Sequence, residues 1–131
     1  MEICLQYHLC THLLKRYKKN KLEKAVKLCF VGLEQAALTF ERWGCTEVLI
    51  TQAEGVLARV QGQTHYERFA NRSVVGRTGR GDTTFGGYLA WRLEHNVEES
   101  LKFAAALVSI KMETAGPFQG TLDDVLKRMK G

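Results

Sequence analysis

A chain of 131 residues with 45% apolar and 25% charged residues has the composition of one ordinary soluble domain, large enough for a real hydrophobic core. No apolar run approaches the length needed to span a bilayer, which excludes an integral membrane protein, and Met1-Glu2-Ile3-Cys4 lacks the basic-then-apolar order of a signal peptide. The net charge of +5 and four scattered cysteines, Cys4, Cys10, Cys29 and Cys45, fit buried thiols in a cytoplasmic protein better than a disulfide scaffold.

In chain order, residues 1–21 form a basic N-terminal segment. Cys4, His8, Cys10 and His12 crowd into nine residues, without the two separated ligand pairs that a structural zinc site needs, so no metal site is assigned. Residues 15–27 hold seven basic side chains against one acid, Glu23. With Tyr17 as the one aromatic residue there and no interleaved aromatic platform for base stacking, a solvated helix face or frayed tail is favoured over a nucleic-acid interface. Leu22 to Arg42 is expected to be a long helix, with Leu22, Val26, Phe30, Leu33, Ala37 and Phe40 at helical spacing and Gly44 ending it. Val48-Leu49-Ile50 reads as a parallel strand covered on both faces. Val56–Val60 and Gln63–Arg68 read as a hairpin turning at Gly62. A helix starting at Asp82 and ending near His95 follows. Asn96 with Glu99 opens the next helix, which carries Leu101, Ala104, Ala105 and Val108 on one side. Thr121 with Asp124 opens the last, with Leu122, Val125, Leu126 and Met129 as its buried stripe.

The segment Gly76-Arg77-Thr78-Gly79-Arg80-Gly81-Asp82 carries most of the chemistry. Glycines at 79 and 81 let the backbone turn tightly and approach a ligand. The N–H groups of Gly79, Arg80, Gly81 and Asp82, at the start of a helix, form a site for phosphate-like anions. Asp82 is either a plain N-cap or an acid placed to take the proton of an attacking hydroxyl. Arg80-Gly81-Asp82 also spells the integrin-recognition tripeptide, which needs an exposed, flexible extracellular loop.

Gly79-Arg80-Gly81-Asp82-Thr83-Thr84-Phe85-Gly86-Gly87 resembles the second signature of the ribokinase-like (PfkB) carbohydrate kinases, whose usual form is D-T-x-G-A-G-D-x-F-x-x-G. Three further stretches match in order: Glu47 to Gly55 resembles a strand ending in T-x-G-x-x-G, Ser100 to Leu107 an alanine-rich helix beside the adenine, and Lys111 to Phe118 a loop closing over the base. The resemblance runs from about Leu22 to the C-terminus. It implies a layered α/β fold with helices on a small, mostly parallel sheet and a β-hairpin, of which residues 22–131 are the C-terminal portion. By the same resemblance Asp82 is the catalytic base, Gly79, Arg80 and Gly81 bind phosphate, and Thr51, Gly55, Ala105 and Gly116 contact the nucleotide. The implied cofactors are ATP and Mg²⁺. Four residues depart from the pattern. Gly76-Arg77 replaces the leading D-T, Arg80 replaces the small residue between the glycines, and Ala53 replaces the first glycine of the strand-end motif. Arg80 either donates to phosphate oxygens or obstructs the loop. Glu23 and Glu34 lack the asparagine of the family's N-x-x-E magnesium motif.

The sequence therefore points to ATP-dependent phosphoryl transfer to a hydroxyl of a sugar, nucleoside or sugar-like alcohol, by a chain without an obvious acceptor site. A non-catalytic nucleotide-binding or regulatory module is the first alternative, and a basic nucleic-acid-binding protein the second. Self-association through an exposed sheet edge is also expected.

Overall fold

The computed structural model describes the backbone of residues 3–5 and 22–131, with side chains from residue 32 onward. The zinc candidates and the basic cluster up to residue 27 therefore lie outside the described side chains. The elements are β1 (Ile3–Leu5), α1 (Leu22–Arg42), β2 (Glu47–Thr51), β3 (Gly55–Val60), β4 (Gln63–Arg68), α2 (Arg80–Arg92), α3 (Val97–Met112) and α4 (Leu122–Lys130).

The sheet has the order β1-β2-β3-β4, with β1 parallel to β2 and the other two pairs antiparallel. The layered α/β fold is as expected, but the mostly parallel sense is not. Residues 52–54 join β2 to β3, and 61–62 join β3 to β4. Neither link can hold the crossover that a parallel pair needs, so each folds straight back. The β3–β4 link is a two-residue turn with both residues at positive φ, Gln61 at 49° and Gly62 at 76°. That geometry matches the twist of the flanking strands.

Residues alternate across a strand, and β2 uses both faces. Val48 and Ile50 meet Leu33, Ala37 and Leu57 under α1. Leu49 points the other way, into a cluster with Val56, Ala58, Tyr88, Leu101, Ala104 and Ala105 beneath α2 and α3. Each such aliphatic side chain stabilises the fold by roughly 1.5–3 kcal/mol on burial. The two helices press close because Gly87 offers no side chain: a Cβ there would stand 2.6 Å from Leu107 Cδ2. A third cluster joins Phe103 and Ala106 of α3 to Val125 of α4.

Local signals set most helix ends. Gly44, at φ 99°, closes α1 as Cys45 N–H reaches the Phe40 carbonyl at 3.0 Å. The Asn96 side chain accepts from Glu99 N, and Thr121 with Asp124 forms a complete capping box. Two expectations change. The helix α2 begins at Arg80, two residues before Asp82, and is preceded by left-handed Gly79 with no side-chain cap. In α4 only Val125 is fully buried, and Leu122 is 54% exposed although it lies on the same stripe, because the contact with α3 is made further along the helix by Val125 and Met129.

At the start of β2, Glu47 is buried with a charge that two partners satisfy. The Tyr88 hydroxyl and the Arg92 Nε, the latter at 3.0 Å, both donate to Glu47 Oε1. Burial, then the neighbouring carboxylate, pushes the Tyr88 phenol well above its ordinary range.

Candidate functional site

The strands β2 and β4 finish at the same end of the sheet, and the glycine segment begins there, in the connection from β4 to α2. That connection is pinned at several points although it holds no regular structure. Phe69 N–H donates to the Glu54 carbonyl at 2.8 Å, and Ala70 N–H to Ser109 Oγ at 2.8 Å. Val75 and Gly76 N–H both reach the Met112 carbonyl, at 2.8 and 3.1 Å. Glu113 accepts from Arg72 N–H at 2.8 Å and from both Arg128 nitrogens at 2.7 and 3.1 Å. The Arg128 guanidinium holds the Glu113 carboxyl below its ordinary value, against the opposing effect of burial. Arg128 also donates to the Ala70 carbonyl at 3.0 Å, so one side chain of α4 braces both the loop and the end of α3.

Gly76 sits where the family signature has an acid, and the structure shows why no side chain stands there. A Cβ would lie 2.5 Å from the Thr114 carbonyl oxygen and 3.2 Å from Ala115 Cα. The missing aspartate is thus a packing constraint between the two loops.

Below the loop lies Lys111, 2% exposed at the end of α3. Its Nζ donates to the carbonyl oxygens of Gly76, at 3.2 Å, and of Thr78. Sequence reasoning did not assign it a role. The signal was a lone lysine among Val108, Ile110 and Met112 near the end of a largely apolar helix, where a charge is buried only for cause.

The amides above are mostly unclaimed. Arg80 N–H is used, donating to the Arg77 carbonyl at 3.2 Å in the turn before α2. Those of Gly79, Gly81 and Asp82 have no protein acceptor among the described residues. Three of the four expected donors are therefore available, and Arg80 contributes through its side chain instead. Its Nη1 lies 3.5 Å from the Ala53 carbonyl, while its Nε is buried without a partner. The guanidinium thus leans over the β2–β3 turn and leaves a donor unused beside the loop.

Asp82 is exposed in the first turn of α2, three residues past the cap position, so it does not cap this helix. A negative side chain is favoured there by the helix dipole. The Arg80-Gly81-Asp82 tripeptide is helical, which removes the flexible loop that integrin recognition requires.

The four expected nucleotide contacts divide. Thr51 is half-buried at the end of β2, and Gly116, at φ 81°, is exposed in the loop after α3. Gly55 is buried, and the space where its side chain would extend is filled by the Tyr66 hydroxyl and the Glu67 carbonyl, each 2.5 Å from a Cβ. Ala105, 3% exposed, packs α3 onto the sheet. These two small residues let elements approach one another and do not line an open surface.

Asp82 is the only carboxylate between residues 76 and 82, and no group of three or more His, Cys, Asp or Glu side chains positioned for a metal occurs among the described residues. The loop thus offers a magnesium ion no protein carboxylate besides Asp82, so such an ion would be held mainly by the phosphate oxygens of a donor. No helix among the described residues is long and apolar enough to cross a membrane.

Comparison with known proteins bears on this arrangement. The model of the pfkB family carbohydrate kinases matches residues 22–123. No curated protein matches the chain. Among solved structures, a pyrophosphate-dependent kinase in the ribokinase family, complexed with a pyrophosphate analog and myo-inositol, is 32% identical with a TM-score of 0.64, over 72% of this chain and 34% of its own. Arabidopsis thaliana ribokinase complexed with ribose and ATP is 22% identical with a TM-score of 0.70, over 100% of this chain and 41% of its own. An E. coli protein assigned as a ribokinase II, solved with ATP and Mg²⁺, is 20% identical with a TM-score of 0.73, over 99% of this chain and 39% of its own. The chain thus spans between a third and a half of the length of these structures. With a family match over residues 22–123 and a shared fold, the chain belongs to the pfkB family of carbohydrate kinases.

Proposed function

We propose that residues 22–131 form the phosphoryl-donor half of a carbohydrate kinase, transferring phosphate from ATP to a hydroxyl of a sugar, nucleoside or sugar-like alcohol. The observation that carries this reading is the set of unclaimed amides at Gly79, Gly81 and Asp82, opening a helix whose first turn holds a carboxylate. The amides donate hydrogen bonds to the oxygens that gain negative charge on the transferring group, and the dipole of α2 reinforces them. Asp82 takes the proton of the attacking hydroxyl as the oxygen–phosphorus bond forms and the bond to the ADP leaving group breaks. The Arg80 guanidinium supplies a charge-assisted donor to phosphate oxygens. Thr51 and Gly116 border the donor, while Gly55 and Ala105 act through packing. Magnesium, when bound with the donor, neutralises phosphate charge.

Inorganic pyrophosphate is a second donor reading. Arg77 and Arg80 place two cations on the loop where the family signature has neutral residues, and the pyrophosphate-dependent relative is 32% identical. The lack of an evident acceptor site also leaves room for a module that binds the donor without transferring from it. Calorimetric titration with ATP and with pyrophosphate, with and without magnesium, tests the shared claim. An assay against a panel of sugars and polyols then separates kinase from module. Asp82→Asn should abolish transfer and spare most donor binding. Turnover retained in that variant removes Asp82 from the mechanism.

A further inference from the structure

We infer that Lys111 is a positioning residue whose buried charge turns the glycine loop outward and lends the anion site its field. A planar trans peptide carries its C=O and N–H on opposite sides. None of the peptide bonds is cis. The carbonyls of Gly76 and Thr78 both point inward at Lys111 Nζ. The N–H groups on the far sides of those peptides, Arg77 and Gly79, are thereby turned away from the ammonium. Neither amide has a protein acceptor among the described residues. One side chain, 2% exposed, fixes two peptide planes at once.

The charge matters as well as the hydrogen bonds. No carboxylate lies within ion-pair distance of Lys111 among the described residues. Carbonyl dipoles solvate the ammonium without neutralising it, so its positive potential persists just behind the loop. A buried charge acts through a lower effective dielectric than water offers, which strengthens its pull on a bound anion. Without that ammonium, two buried carbonyls lose their partner and the loop has reason to rotate them toward solvent, withdrawing the amides from the ligand. Lys111 touches no donor atom and acts through the loop.

This inference rests on the donor-site reading above, and the test separates the two. Inorganic pyrophosphate and ATP, each with magnesium, are titrated into wild-type protein, Lys111→Met and Lys111→Arg well below their melting temperatures. Lys111→Met should bind pyrophosphate on the order of tenfold or more weakly, by analogy with the loss seen when groups that orient a ligand shell are removed. Lys111→Arg, which keeps the charge, should recover most of the affinity. A merely structural lysine would lower the melting temperature of Lys111→Met and leave the affinity of the folded protein unchanged. That result overturns the inference while the donor site stands. If Lys111→Met does not fold, Lys111→Gln keeps N–H donors without charge, and folded Lys111→Gln binding within twofold of wild type overturns it equally. Wild-type protein that binds neither anion overturns both this inference and the donor site.

Discussion

Replacing Gly76 with alanine probes the link between loop packing and ligand binding. The backbone at Gly76 does not lie in the left-handed region, so alanine meets no conformational penalty there. The obstacle is space. The new methyl carbon would stand 2.5 Å from the Thr114 carbonyl oxygen and 3.2 Å from Ala115 Cα, and both are backbone atoms that cannot rotate aside. Overpacking of this kind costs about 1–3 kcal/mol. For a domain of this size each kcal/mol lowers the melting temperature by roughly 3–5 °C, so a fall of about 3–15 °C is expected. The loop must also retreat from the end of α3, stretching the bonds from Val75 and Gly76 N–H to Met112 and from Lys111 to the Gly76 carbonyl. Affinity for pyrophosphate or ATP should therefore fall with stability. Gly79→Ala is the contrast: the space around it is open, but its φ of 77° costs alanine about 1 kcal/mol. Thermal melts and calorimetric titration of both variants give the comparison. A Gly76→Ala protein that melts and binds like wild type would refute the packing argument.

Other consequences follow from the charged groups and the exposed surface. Glu113→Gln should lower stability at pH 7 by about 1–2 kcal/mol, because it removes a charge-assisted pair that holds the loop. Since the folded carboxyl lies below its ordinary 4.5, its contribution is present above that pH and disappears as pH falls through the folded value. Denaturant titrations of wild type and Glu113→Gln should therefore converge on acidification, and parallel curves would contradict the pairing. Tyr88→Phe removes one of two donors to the buried Glu47 and should cost about 1–3 kcal/mol by chemical denaturation. The Tyr88 phenol, raised above 10, contributes stability that is full below that pH and is lost as pH rises through the folded value; an early tyrosinate absorbance rise from this residue, assigned by difference against Tyr88→Phe, would count against it. Exposed Trp43, Val75 and Leu93, together with the side of β4 that is unpaired among the described residues, lead us to expect concentration-dependent self-association by light scattering. A strict monomer at high concentration contradicts that expectation.

What the sequence made legible was mainly what neighbouring residues decide. Gly44, Gln61-Gly62, Asn96 with Glu99 and Thr121 with Asp124 each fix a turn or helix end through contacts a few residues apart, and each is found in place. The direction of the strands needed the connection lengths to be weighed against the habit of apolar strands to lie parallel. Leu122 fits the stripe of α4, yet only tertiary packing decides which part of a stripe meets a partner. Ala105 and Gly55 show the limit for small residues: the same composition serves a tight helix–sheet contact and an open ligand surface. At the candidate site, residue types and spacing marked the glycine loop, and the family resemblance singled out Asp82 within it. The reasons for Gly76 and Lys111 were not, because they depend on a loop and a helix end that are 35 residues apart in the chain.

Backbone amide spectra of ¹⁵N-labelled protein, recorded during titration with magnesium pyrophosphate and magnesium ATP, address the central claim directly. The account requires saturable shifts at Gly79, Gly81 and Asp82, with Arg77 following and the hairpin unmoved. Cross-peaks of those residues that stay fixed at saturating donor, or move less than amides elsewhere in the chain, would contradict it.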